Sequence, residues 1–321
     1  MNAPILVTGP DRSGTTLLYT ILASHPEIMM VRRTNLWRWF DNKYGDLSQP
    51  ANLDACLETM MRYERLSVLS IDPVMARAEF EKGERSYGRL FEILFQQQAE
   101  RSGRARWGDK SLHTELCADR VFEEWPHARI VYLMRDPRDR YISVIGREGK
   151  GSDRHASVIG RWIRSTRAAE DHAKRRPQSF RIIRYEDLVA DPERVVRDVC
   201  EFVGVEYHPA MLEMGGGDDR TAQGGNSSFE PIEPGVITTR SVGRYRNVLD
   251  EQTVAFIQTV CGPWMRRHGY ELDPLNLSPA ERIRAYVIDL PIGVARISMW
   301  LMAEAVAESR GRTVPEARLC G

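Results

Sequence analysis

The sequence predicts an α/β fold with a central parallel sheet flanked by helices, and three stretches carry that prediction. Ile5-Leu6-Val7 is a short, β-branched apolar run of the kind that forms a buried strand, and a glycine-containing loop leads from it into Leu17, Leu18, Ile21 and Leu22 at helical spacing. Ala128–Met134 is a second such run; it ends in Arg135-Asp136-Pro137-Arg138, and Tyr141, Ile142 and Ile145 then follow at helical spacing. The third runs from Phe180 into Tyr185-Glu186-Asp187-Leu188, after which Asp191-Pro192-Glu193 opens a helix that Gly204 stops. Strand followed by helix, repeated, lays parallel strands side by side.

The loop after the first strand, Gly9-Pro10-Asp11-Arg12-Ser13-Gly14-Thr15-Thr16, runs into a helix start. Such a start aims several backbone N–H groups at one point and adds the positive end of the helix dipole, so an anion belongs there. A nucleoside-triphosphatase loop would place a lysine directly after the second glycine. Thr15 stands there instead, and the positive charge lies inside the loop at Arg12. A P-loop kinase is therefore disfavoured, while a group held by Arg12 and the hydroxyls of Ser13, Thr15 and Thr16 is favoured. Over these residues alone, an ordinary β-turn-α unit reads the same way.

Composition narrows the classes further. The 321 residues suffice for one large domain or two, and 45 Lys+Arg against 45 Asp+Glu gives no net charge. A general binder of nucleic acid or anionic membrane would be basic, so neither partner is expected. Only five of the cations are lysines, which makes a lysine in a pocket informative. The five cysteines are scattered and never form a CxxC pair, as expected of thiols in a reducing compartment. The chain enters its first strand within a few residues, with no room for a signal peptide, and no apolar run reaches the ~20 residues that cross a bilayer. A cytoplasmic protein without a transmembrane segment is the expectation.

Arg12-Ser13-Gly14-Thr15-Thr16 after a first strand resembles the 5′-phosphosulfate loop of sulfotransferases that use 3′-phosphoadenosine 5′-phosphosulfate (PAPS). The motif style is that of the bacterial and tyrosylprotein types. The resemblance implies a P-loop-like sulfotransferase fold and roles for further residues. Arg135 at a strand end with Ser143 eight residues on matches the pair that holds the 3′-phosphate. Arg147, one turn later, matches another cofactor contact, and Tyr185 an adenosine contact. Ser228 and Arg244 match the serine and basic residue of a loop that closes over the nucleotide. Lys110, in Trp107-Gly108-Asp109-Lys110-Ser111-Leu112-His113, matches a lysine before a helix that steadies the transferring sulfuryl group together with Arg12.

His113 is a candidate to take the acceptor's proton, with Asp109 as its rival; a histidine near a helix start is also an ordinary surface or capping residue. Tyrosylprotein sulfotransferases carry a glutamate base after the second strand. Here Ile28–Val31 is followed by Arg32-Arg33-Thr34-Asn35-Leu36-Trp37-Arg38-Trp39, which puts that base and that acceptor in doubt. The cluster reads either as core aromatics beside a helix start or as an acceptor wall of Arg32, Arg33, Trp37 and Trp39.

Residues 46–102 read as a helical insertion roofing the site within a sulfotransferase domain of residues 1–275, and residues 276–321 as a helical extension. The extension breaks at Pro291 and packs on the core or on a second subunit, which makes a homo-oligomer possible; an interfacial membrane helix is the weaker alternative, because its charged face mixes Glu304 and Glu308 with Arg296 and Arg310 instead of being basic. The resemblance implies an enzyme that moves a sulfuryl group from PAPS to a hydroxyl or amine of a small-molecule, glycan or lipid acceptor. No metal ligand set is found. The alternatives are a P-loop kinase-like phosphotransferase or a non-catalytic nucleotide-binding module; the latter has no need of Lys110.

Overall fold

The computed structural model describes residues 3–148, 152–215, 236–309 and 314. Five parallel strands form its sheet: β1 (Ile5–Thr8), β2 (Ile28–Arg32), β3 (Arg106–Lys110), β4 (Arg129–Met134) and β5 (Phe180–Arg184), in the order β2-β3-β1-β4-β5. β1 is central. The chain leaves it in one direction to β2 and β3, then passes back across it to β4 and β5. The switch point therefore lies at the carboxyl end of β1, where ligands bind in open α/β sheets.

The helices in chain order are α1 (Thr15–Ala23), α2 (Leu36–Trp39), α3 (Pro50–Arg62), α4 (Pro73–Phe80), α5 (Tyr87–Arg101), α6 (Ala118–Glu124), α7 (Pro137–Glu148), α8 (Ser152–Arg175), α9 (Tyr185–Ala190), α10 (Pro192–Val203), α11 (Ala210–Glu213) and α12 (Glu251–Arg267). Strand residues alternate between two cores. Ile5, Val7, Val131 and Leu133 pack with Leu18, Ile21 and Leu22 of α1 and Val196 of α10. Leu6, Val31, Trp107, Ile130 and Tyr132 face the other way, onto Phe91 and Phe95 of α5 and Trp162 of α8. The insertion is thus mainly a layer of core, with the Phe95 ring stacked on Trp107 at 4.5 Å.

Two strand assignments change. Arg106–Lys110, expected as loop before a helix, is a buried strand between β2 and β1. Its Gly-Asp-Lys sequence hides it from hydrophobic patterning, and Gly108 is required by packing: a Cβ there would stand 2.4 Å from Met30 Sδ and 2.5 Å from the Ile5 carbonyl oxygen. Tyr185, expected at a strand end, instead opens α9.

The break expected at Pro291 does not occur. Pro279–Ile283, a π-helical stretch Arg284–Asp289 and Leu290–Ser309 run on as one helix, α13. The wider π turn just before Pro291 makes room for a ring that would otherwise meet the carbonyl four residues back. Because the helix is uninterrupted, Pro279–Glu308 is long and apolar enough to cross a membrane by length and composition, with mean hydropathy 1.4 over its most apolar window. The expectation of no such segment is corrected on that point.

Gly108→Ala should lower stability by about 1–3 kcal/mol, the usual cost of overpacking a filled core. Urea unfolding would measure it, and an unchanged midpoint would contradict the close packing of β3 on β1.

Candidate active site

The loop after β1 holds a backbone that side chains rarely adopt. Gly9, Arg12 and Gly14 all have positive φ, at 143°, 66° and 87°. Gly14 is the N-cap of α1 and no side chain closes that helix start, so its N–H groups point into the loop. A Cβ on Gly14 would lie 2.3 Å from the Tyr185 ring, which leaves glycine as the only residue that fits. Asp11 pins the loop from behind: its carboxylate pairs with Arg140 Nη2 at 2.6 Å, and its carbonyl accepts from Arg140 Nε at 2.8 Å. Burial alone would raise the Asp11 pKa, but Arg140, then His113, hold it below the usual value.

Arg135, at the carboxyl end of β4, closes the other side. Its guanidinium donates to the carbonyls of Arg12 at 3.0 Å and Ser241 at 2.7 Å and lies over the Tyr185 ring at 4.7 Å. Arg12 in turn donates to Ser143 Oγ on α7 at 2.9 Å. Arg12, Ser13, Gly14, Thr15, Arg135, Ser143 and Tyr185 thus share one cradle. Two buried polar atoms in it, Ser13 Oγ and Arg135 Nε, have no partner among the described residues. Arg244 starts a short turn drawn to this edge by Asp139, which accepts from the N–H groups of Gly243 and Tyr245. Ser228 and the side chain of Arg147 lie outside the described residues.

Lys110 ends β3 and is only 2 % exposed, with Nζ 3.5 Å from Thr16 Oγ1 of the loop. Burial, then Arg33, Arg32 and Arg65, lower its pKa to about 7. Arg32 pairs with Lys110 in register across the sheet, and the Arg33 N–H donates to the Lys110 carbonyl at 2.7 Å, so the cations converge for backbone reasons. Asp109, the rival base, points to the opposite face of the strand. It is buried, accepts from Thr34 at 2.7 Å and Ser111 at 2.6 Å, and burial raises its pKa to about 6. It props the β2–β3 corner and does not face the loop.

His113 has a partner that the sequence did not reveal. Its Nδ1 stands 3.5 Å from Glu115, a fully buried carboxylate that also accepts from Thr8 Oγ1 at 2.6 Å and from Ser165 Oγ. Burial would raise the Glu115 pKa, but His113, Ser165 and Thr8 together hold it below its usual value. An acid two residues after a candidate histidine was the available signal. His113 borders a cavity of about 420 Å³ lined also by Trp37, Arg38, Lys43, Arg161, Arg164 and Trp300, with Glu304 and Glu308 facing Arg164. Of the expected acceptor wall, Trp37 is chiefly core, edge-on to Trp125 at 4.7 Å and to Phe91 at 5.2 Å, although it also borders the cavity.

A model of the sulfotransferase family matches residues 4–209. The chain belongs to that family. The match spans the loop, Lys110, Arg135, Ser143 and Tyr185, and excludes Arg244 and α13. The protein-tyrosine sulfotransferase A of Caenorhabditis elegans is 22% identical over 83% of this chain and 67% of its own length. Mouse carbohydrate sulfotransferase 2 is 30% identical over 29% of this chain and only 17% of its own length. The sulfotransferase domain of the Synechococcus PCC 7002 olefin synthase has the same fold, with a TM-score of 0.59 at 21% identity, over 85% of this chain and 98% of that domain.

In this sulfotransferase an anion entering the loop would meet a lysine whose pKa is lowered to about 7 by burial and by its cationic neighbours. Charge from the ligand should raise the Lys110 pKa, so binding at pH 8 should take up a proton. Calorimetry of adenosine 3′,5′-bisphosphate (PAP) in buffers of different ionisation enthalpy reads that uptake, and Lys110→Met should abolish it. No uptake would mean that Lys110 does not face the ligand. Gly14→Ala should remove nucleotide binding at least tenfold, since the new methyl has nowhere to go but into the Tyr185 ring.

Proposed function

We propose that this sulfotransferase moves the sulfuryl group of PAPS to a hydroxyl or amine of a small-molecule, glycan or lipid acceptor, releasing PAP. The observation that carries the reading is the cradle itself: a buried guanidinium and a buried hydroxyl, both with polar atoms unpartnered among the described residues, beside an uncapped helix start and Lys110. Buried donors left unpaired cost about 1–3 kcal/mol each, so a bisphosphorylated nucleotide fits them better than the protein alone does. PAPS supplies a sulfuryl group on a phosphate leaving group.

The chain's own residues bind, orient and move a proton. The loop Arg12–Thr16 and the start of α1 hold the 5′-phosphosulfate. Arg135 and Ser143 hold the 3′-phosphate, with Arg147, Ser228 and Arg244 as further contacts, and Tyr185 flanks the adenosine. Lys110, with Arg12, faces the bridging oxygen, where negative charge grows as the bond to the donor lengthens. A cation there gains more in the transition state than in the ground state and acts on kcat. Glu115 fixes His113 through Nδ1, which leaves Nε2 to accept the acceptor's proton. The cavity beside His113 receives the acceptor. The free thiols of Cys56, Cys117, Cys200 and Cys261 suit the cytoplasmic setting proposed for it.

Incubation with sulfur-labelled PAPS and fractionated metabolites, glycans and lipids of the source cell tests the reading. Label should enter a discrete fraction, and none in any fraction would oppose it. Lys110→Ala should lose on the order of 10²–10³ in kcat, with nucleotide affinity little changed. Arg135→Ala should do the reverse, weakening nucleotide binding by several kcal/mol in all, at about 1.5–3 per charge-assisted bond. Normal turnover by Lys110→Ala at saturating PAPS would reduce Lys110 to a structural residue.

A further inference from the structure

The cavity beside His113 is assembled from elements far apart in the chain: α2 and the turn after it, the connection from β3 to α6, α8, and the second half of α13. Its volume of about 420 Å³ lies at the small end of the ~300–1,000 Å³ of pockets that take small molecules. Trp37 and Trp300 give it two indole surfaces, and most of the rest is charged. Four cations, Arg38, Lys43, Arg161 and Arg164, stand against two acids, Glu304 and Glu308. In a chain with no net charge, that is a local positive excess.

The nearby acids are already engaged. Glu304 and Glu308 both pair with Arg164, Asp41 pairs with Arg120 and Asp11 with Arg140, and Glu115 is taken by His113, Thr8 and Ser165. Arg161, one turn before Arg164 on α8, has the Trp300 ring beside its guanidinium at 5.8 Å and no acid. Among the described residues neither Arg161 nor Lys43 makes an ion pair. A lone surface cation is ordinarily just solvated. Two that border one recess, between two indoles, leave a place for an anion that the chain itself does not fill. The nucleotide is accounted for elsewhere, since Arg12, Lys110 and Arg135 of the cradle do not line this cavity.

We infer that the acceptor is a small molecule bearing a carboxylate or a phosphate ester, its anion held by Lys43 and Arg161 and its body lying against Trp37 and Trp300. The inference rests on the reading that this cavity receives the acceptor, and narrows that acceptor to an anionic one. The transfer itself is unchanged: the acceptor oxygen or nitrogen bonds to sulfur, the bond from sulfur to the phosphate oxygen of PAPS breaks to leave PAP, and the acceptor's proton goes to His113. A neutral acceptor would leave both cations unpaired, and a cationic one would be repelled. An anion bound away from the reacting bond is held equally in the ground and transition states, so it acts on KM and not on kcat. Trp300, Glu304 and Glu308 lie beyond residues 4–209, so this selectivity belongs to α13 and not to the family's shared frame.

The test uses a small-molecule filtrate of the source cell, split on an anion exchanger into retained and unretained pools, and a separate solvent extract of its lipids. Each is incubated with sulfur-labelled PAPS, and the retained pool should take the label. Treating that pool with alkaline phosphatase, then removing the enzyme, should abolish its acceptor capacity where the anion is a phosphate ester and spare it where the anion is a carboxylate. Lys43→Gln with Arg161→Gln should cut transfer at limiting acceptor by about tenfold, recovered at high acceptor, while Lys43→Arg with Arg161→Lys should keep most of it. PAP affinity and circular dichroism should not change in either, since Arg161 is exposed and Lys43 half-buried. Label entering the unretained pool or the lipids as readily would overturn the inference and leave sulfuryl transfer standing; no label anywhere would overturn both. Undiminished transfer by the double glutamine variant would also overturn it, as would a loss of PAP affinity there, which would assign the cavity to the nucleotide.

Discussion

The buried guanidinium of Arg135 is the constraint on which the rest of the site depends. Only 7 % exposed, it is held by two neutral carbonyls and the face of Tyr185, and among the described residues it makes no ion pair. A cation taken out of water on those terms is costly unless an anion completes it. The same side chain joins the loop after β1, the end of β4 and the Thr239–Ser241 turn, so the group that needs the anion also positions the elements around it. Arg140 repeats the device behind the loop, although there the anion is built in as Asp11.

Electrostatics at the neighbouring corner follow the same logic. Burial first, and then the charges of Arg33, Arg32 and Arg65, lower the Lys110 pKa to about 7. A lysine so placed would regain its charge beside an anion and is held by a strand end, which suits the role proposed for it at the bridging oxygen. Asp109, adjacent in sequence, faces the opposite core because a strand turns alternate side chains to opposite sides.

Legibility in the sequence follows from how local each feature is. The loop, the Arg135–Ser143 pair and the Tyr185 turn are short motifs whose chemistry sits within a few residues, and the sequence places all of them at one sheet edge. β3 was illegible because a central strand with Gly-Asp-Lys carries little hydrophobic signal; its burial is imposed by β1 and β2. Glu115 was missed because its spacing from His113 is a weak signal and its burial is set by Thr8 and Ser165, which lie 107 and 50 residues away. Pro291 misled for the opposite reason, since a local rule was overridden by a π turn just upstream. Trp37 read equally as wall or core, and only its contacts with Phe91 and Trp125 decide.

The account stands on the cradle being made for a nucleotide with a 3′-phosphate. Calorimetric titration of the protein with PAP and, separately, with AMP tests this most directly, because the two ligands differ only in the group assigned to Arg135 and Ser143. The account predicts that PAP binds at least a hundredfold tighter, as loss of two charge-assisted bonds at ~1.5–3 kcal/mol each requires. Equal affinities would contradict it.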